Sequence, residues 1–171
     1  MDASEVRTRI GPIQIGIILL ALAAGGIHLY LFLIEGFLGN SAMLPFYQVL
    51  FVGNFFGYVT LGAALYLPIP LLARLRPVVR ILLIGITAAS IISYFYVNVI
   101  DALGNVTQVI EFLLIVLVTV EAGMARKERT EGGTSSALSA AVVQLVVGIA
   151  LGVVMVQVIY WIARPLIESI V

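Results

Sequence analysis

The chain has 171 residues, 62% of them hydrophobic and 11% charged, and its net charge is zero. A composition so apolar does not suit a soluble fold, in which about 25% of residues are charged, and the zero net charge gives no electrostatic case for nucleic acid as a partner. The sequence has no cysteine, which excludes disulfides, thiolate metal sites, iron–sulfur ligation and cysteine-based catalysis.

Five apolar stretches, at 10–34, 46–72, 81–100, 106–123 and 138–162, fill the chain. They run without period-two alternation, so helices rather than strands are expected. About 20 apolar residues cross a bilayer core, and the fourth stretch reaches that length by including its polar ends, Gln108 and Glu121. The expected fold class is therefore all-α integral membrane. A single transmembrane domain over 1–171 holds a bundle of five transmembrane helices, a four-helix unit plus a C-terminal fifth.

Helix one follows Arg7 and Arg9 and has Pro12 in its first turn, a position that tolerates proline. The two arginines, the apolar run and Ala21-Leu22-Ala23 have the outline of a signal peptide. The apolar run, however, continues unbroken from Ile27 through Ile34, so the segment is expected to stay as an uncleaved anchor. Pro68 and Pro70 close helix two, and an inner loop with Arg74, Arg76, Pro77 and Arg80 leads to helix three. The short turn Asp101-Ala102-Leu103-Gly104-Asn105 makes helices three and four antiparallel neighbours. The segment 127–136, rich in charge, Gly and Ser, reads as a flexible cytoplasmic linker that makes helix five separable from the other four. Pro165 is expected to end helix five, with Tyr160 and Trp161 as outer interfacial anchors.

Basic residues mark alternate ends of these helices: Arg7 and Arg9, then Arg74, Arg76 and Arg80, then Arg126, Lys127 and Arg129. The intervening loops, 35–45 and 101–105, carry no Lys or Arg. Cytoplasmic loops accumulate such residues. The pattern predicts a multi-pass protein of the cytoplasmic membrane, N-terminus cytoplasmic and C-terminus external, with Arg164 the single dissenting charge.

Lipid gives helices no hydrophobic reason to associate, so small residues must let them pack closely. Candidate faces are Gly53-x-x-x-Gly57, Gly85-x-x-x-Ala89-x-x-x-Ser93, Gly148-x-x-x-Gly152, and the face shared by Ala21, Gly25 and His28. Intrachain packing is their first use. A homo-oligomer or partner membrane subunits, held through the Gly53/Gly57 and Gly148/Gly152 faces, is the second, with helix five the best dimer candidate.

Counting inward from the outer helix ends brings His28, Asn54, Tyr94, Glu111 and Gln157 to one depth, about 9–14 Å below the outer surface. His28 is the only histidine, and Glu111 the only carboxylate well inside a segment. A charge facing lipid is costly, so both are expected to face the bundle interior, within hydrogen-bond or one-water reach of each other. Glu35 lies two turns from His28 on the same face, and Gln108 lies at i−3 from Glu111. Such a layer can be structural glue between helices, or it can line an outward-open cavity that binds a small ligand or passes protons. One histidine cannot ligate a haem on both faces or build a zinc site within one chain, so no cofactor or metal is expected. Glu121, beside Arg126 and Lys127 at an inner helix end, reads as a snorkelling side chain. No phosphate loop, nucleophile elbow or paired-carboxylate motif is present, which leans against an enzyme.

The stretch Ala23-Ala24-Gly25-Gly26-Ile27-His28-Leu29, the Gly- and Phe-rich Phe51-Val52-Gly53-Asn54-Phe55-Phe56-Gly57, the Asp/Gly turn 101–105 and the acid at Glu111 together carry a resemblance. Over about 10–129 the chain resembles a loose group of small, uncharacterised prokaryotic membrane proteins from halophilic archaea and bacteria. That resemblance implies a four-helix unit, from which helix five departs. Three functions fit these readings: an accessory subunit of a membrane complex, a small transporter or ligand-binding bundle using the polar layer, and a redox subunit in which His28 contacts a partner's haem or quinone.

Overall fold

A computed structural model describes residues 10–38, 43–97, 101–129 and 134–170. Among them there is no strand. Helix α1 (Pro12–Tyr30) continues into wider, π-helical turns at Leu31–Leu38, and α2 (Pro45–Tyr66), α3 (Pro70–Val97) and α4 (Ala102–Arg129) follow. Helix α5 (Thr134–Val158) passes through π-helical turns at Ile159–Ala163 into α6 (Arg164–Ile170). Five helical spans are long and apolar enough to cross a membrane: Pro12–Leu38, Pro45–Tyr66, Pro70–Val97, Ala102–Lys127 and Ser136–Ile170. Arg7 and Arg9 lie outside the described residues.

Several helix ends differ from expectation, and prolines account for most of the difference. Helix α2 stops at Tyr66, not at 72, because Pro68 drives the preceding Leu67 out of the helical region to φ −59°, ψ 133°. Pro70 then opens α3 at a position where its missing N–H has no partner to lose. Arg74, Arg76, Pro77 and Arg80, expected in a loop, therefore lie inside α3. Pro77 costs that helix the hydrogen bond to the Ala73 carbonyl without ending it. Pro165 does not end helix five either. The π-helical turns just before it relieve the clash between a proline ring and the carbonyl four residues earlier.

Helices α1 to α4 close into a bundle in which α1 also meets α4, and α5 packs against α3 and α4. The main core joins Ile17, Ala21 and Ala24 of α1 to Tyr58 and Leu65 of α2, Leu83 and Ile84 of α3, and Leu114 and Val118 of α4. Close approaches match the small residues. A Cβ at Gly152 would lie 2.8 Å from both the Gly85 carbonyl and the Ala88 Cβ, and one at Gly85 would lie 3.4 Å from the Gly148 carbonyl. The Gly148/Gly152 face thus packs on α3. Helix α5 packs into the bundle on α3 and α4; of the expected linker 127–136, residues 127–129 are helical in α4 and 134–136 in α5, and 130–133 lie outside the described residues. Near the start of α2 and the end of α5 a second core joins Phe46 to Ala89, Val156 and Tyr160. Tyr160 is therefore a core residue, in edge contact with Phe46, whereas Trp161 is 73% exposed.

Candidate functional site

One buried cluster takes polar groups from four helices. On α1, Ala21, Gly25 and His28 share one buried face. Gly25 admits α2, since a Cβ there would stand 3.4 Å from the Tyr58 Cβ and 3.5 Å from the Phe55 carbonyl. The His28 ring therefore sits 5.7 Å from the Tyr58 ring and 5.8 Å from the Phe51 ring. Its Nδ1 is 2.8 Å from the Ala24 carbonyl, four residues back along the helix, and donates to it. In the neutral imidazole Nε2 is then an acceptor, 3.3 Å from the Ser90 hydroxyl of α3.

Glu111 of α4 completes the cluster. Neither it nor Tyr58 has any exposed surface. The Tyr58 hydroxyl donates to Glu111 Oε1 at 2.7 Å, and the Gln108 amide nitrogen lies 3.5 Å from Oε2. His28 Nε2 is 3.9 Å from Glu111 Oε1. One proton can therefore sit on the carboxyl or on Nε2, and its position decides which of the two groups donates toward the other. The amide oxygen of Gln108, buried beside the carboxyl, has no hydrogen-bond partner.

A second buried polar contact lies about 15 Å along α4, ten residues toward its other end. Arg80 of α3 donates from Nε to Glu121 Oε2 at 2.5 Å and from a terminal nitrogen to Oε1 at 2.9 Å. The two residues are 4% and 7% exposed, so Glu121 is a buried, bidentate partner of Arg80, not a snorkelling side chain. Leu83, Leu114 and Val118, all fully buried, separate the two clusters with an apolar layer.

The other residues singled out by depth fall elsewhere. The Tyr94 hydroxyl donates to Asn105 Oδ1 at 3.0 Å and so ties the end of α3 to the start of α4. Gly104 leaves room for that ring. Asn54 is half-buried one turn before Tyr58 and takes no part in the cluster's hydrogen bonds. Gln157 is exposed on the outside of the bundle, and Glu35 is exposed in the widened turns after α1. Equal depth does not mean equal facing, and rotation about each helix axis sent these side chains outward. Of the four residues expected to line a cavity, His28 and Glu111 are therefore brought together, while Asn54 and Tyr94 make none of the cluster's hydrogen bonds.

Sequence reasoning missed Tyr58, Ser90 and Arg80. Tyr58 is one of seven tyrosines, with only its i+4 spacing from Asn54 to distinguish it. Ser90 and Arg80 carried a clearer signal. In an antiparallel hairpin, residues equidistant from the turn face each other. Ser90 lies 11 residues before Asp101 and Glu111 ten after it; Arg80 lies 21 before and Glu121 20 after.

Both ring nitrogens of His28 are turned to protein partners, so binding a haem iron would mean giving up one of those contacts. Among the described residues no three His, Asp or Glu side chains converge as a metal site. No family model matches the chain, and no curated protein or solved structure does so.

Proposed function

We propose that the protein is a non-enzymatic, multi-pass protein of the cytoplasmic membrane that serves as a helical subunit of a larger membrane complex. Its N-terminus is cytoplasmic and its C-terminus external. The observation that supports this reading is the inward, buried placement of the polar chemistry. His28, Tyr58, Ser90 and Glu111 tie four helices together around a carboxyl with no exposed surface. A lock of this kind specifies how the helices pack and leaves the outer faces to lipid and partner helices. The resemblance to small prokaryotic four-helix membrane proteins is in keeping with it, with α5 added against α3 and α4. Of the two glycine faces expected to hold a partner, the position left open is Gly53, where a Cβ would meet nothing within 4 Å; a second copy or partner helix docks there. Crosslinking and native-gel mass in mild detergent test the proposal. A particle larger than one chain, reduced to one chain by Gly53→Leu, is expected, and a strictly monomeric particle would refute the subunit role.

A second reading, proton movement, draws on the 3.9 Å His28–Glu111 contact and the unpartnered Gln108 oxygen beside it. It requires no ligand-sized cavity. In proteoliposomes holding a pH-sensitive dye, it predicts proton flux that Glu111→Gln abolishes while the bundle still folds. Equal flux from protein-free vesicles removes this reading.

A further inference from the structure

A groove of about 290 Å³ lies between α1 and α2 and is open along one side. Its walls include Ile18, Leu22, Val59, Ala63, Tyr66 and Leu67, on or at the end of the two spanning segments. Its space exists because the lining is small at Ala21, Gly62 and Ala63. Facing hydrocarbon, such a groove is filled by whatever chain the bilayer supplies. At that volume, near the lower end of ligand pockets of about 300–1,000 Å³, it holds a segment of one chain.

The end of the groove at Tyr66 and Leu67 is polar in a particular way. The Tyr66 hydroxyl is buried and has no hydrogen-bond partner. Arg76, Arg80 and Glu121 all lie within electrostatic range of it. Residues 45–97 contain three arginines and no Asp or Glu. Arg80 pairs with Glu121 of α4; Arg74 is exposed and Arg76 half-buried, and the Arg76 guanidinium lies within electrostatic range of the Tyr66 hydroxyl. Helix α3 begins at Pro70, three residues beyond Leu67, so its first-turn amides add positive potential at the same end.

We propose that this groove and the arginine-bearing end beside it form one binding site for an anionic phospholipid. An acyl chain lies along Leu22, Val59 and Ala63. The phosphate sits at Arg76 and accepts a hydrogen bond from the Tyr66 hydroxyl. Basic pockets between membrane helices recognise anionic headgroups in this way, and a phosphate supplies the acceptor that the buried hydroxyl lacks within the protein.

Native mass spectrometry of the full chain in mild detergent tests the site, with phosphatidylglycerol and phosphatidylcholine of identical chains added in turn. Wild type is expected to retain the anionic lipid in preference. Arg76→Gln should lower that preference about fivefold, the share one arginine carries beside an anionic surface. Ala63→Leu fills the groove from an exposed position and should lower retention of both lipids. Tyr66→Phe should lower retention of phosphatidylglycerol without lowering the lipid-free melting temperature, since the hydroxyl has no internal partner to lose. Equal retention of the two lipids by wild type overturns the proposal. So does phosphatidylglycerol retention that neither Ala63→Leu nor Tyr66→Phe reduces.

Discussion

Removing the Tyr58 hydroxyl takes away the 2.7 Å donor of a carboxyl that has no access to water. An unsatisfied buried acceptor costs about 1–3 kcal/mol, and Tyr58→Phe should lose that much in thermal or denaturant unfolding in detergent. Glu111→Gln keeps an acceptor for Tyr58 and drops the charge, so its loss should be the smaller. An equal or greater loss from Glu111→Gln would show that the charge itself holds the cluster. The Arg80–Glu121 pair gives the sharper contrast. Deleting one partner leaves an uncompensated buried charge, about 3–5 kcal/mol. The single change Glu121→Leu should therefore be severe, and the double change Arg80→Leu with Glu121→Leu should recover most of the loss. A double variant as unstable as the single one would mean that the pair is not a closed unit. The chemical type of these residues was legible: an acid in the middle of an apolar segment must turn inward. The partners were not read, although hairpin register carries the signal, setting Ser90 and Arg80 of α3 across from Glu111 and Glu121 of α4. Tyr58 had no such signal, because α2 is not the hairpin partner of α4 and its rotation is set by packing against α1 at Gly25.

Among the helices, glycines separate closed faces from open ones. Gly152 lies against the backbone of α3, where a Cβ would come within 3.0 Å of the Ala89 nitrogen as well as the Gly85 carbonyl. Gly152→Leu must push α5 off α3, and its product should be recovered poorly or melt well below wild type. A Cβ added at Gly26 or at Gly53 would meet nothing within 4 Å. Gly26→Ala should leave the melting temperature unchanged or raise it slightly, as alanine favours helix over glycine by about 1 kcal/mol. A marked loss at Gly26, measured in the same unfolding assay, would place an unseen helix against α1. The sequence motif is the same small-x-x-x-small pattern at 53/57 and 148/152, yet one member of the first pair stays open while the second pair is covered. Spacing shows that a helix can be approached; the direction of approach is a tertiary fact.

For the whole molecule, five spanning segments and the alternation of basic ends predict opposite sides for the two termini. Tags at the N-terminus and within 132–136 should be shielded from membrane-impermeant reagents in intact cells, and a C-terminal tag should react. A shielded C-terminal tag would refute five crossings.

Apolar length and the absence of period two already determined an all-helical chain with five segments able to span a membrane, since a bilayer core demands about 20 apolar residues whatever the neighbours. The inward turning of His28 and Glu111 followed from the cost of a charge in lipid. The tertiary structure alone decided which helices adjoin. It set Tyr58 against Glu111, seated α5 on α3, and turned Asn54 and Gln157 away from the cluster. Depth along a helix is a count of residues, but facing depends on how each helix rotates to fit its neighbours. In lipid that rotation is chosen by close packing of small residues rather than by a hydrophobic stripe that can be read in advance.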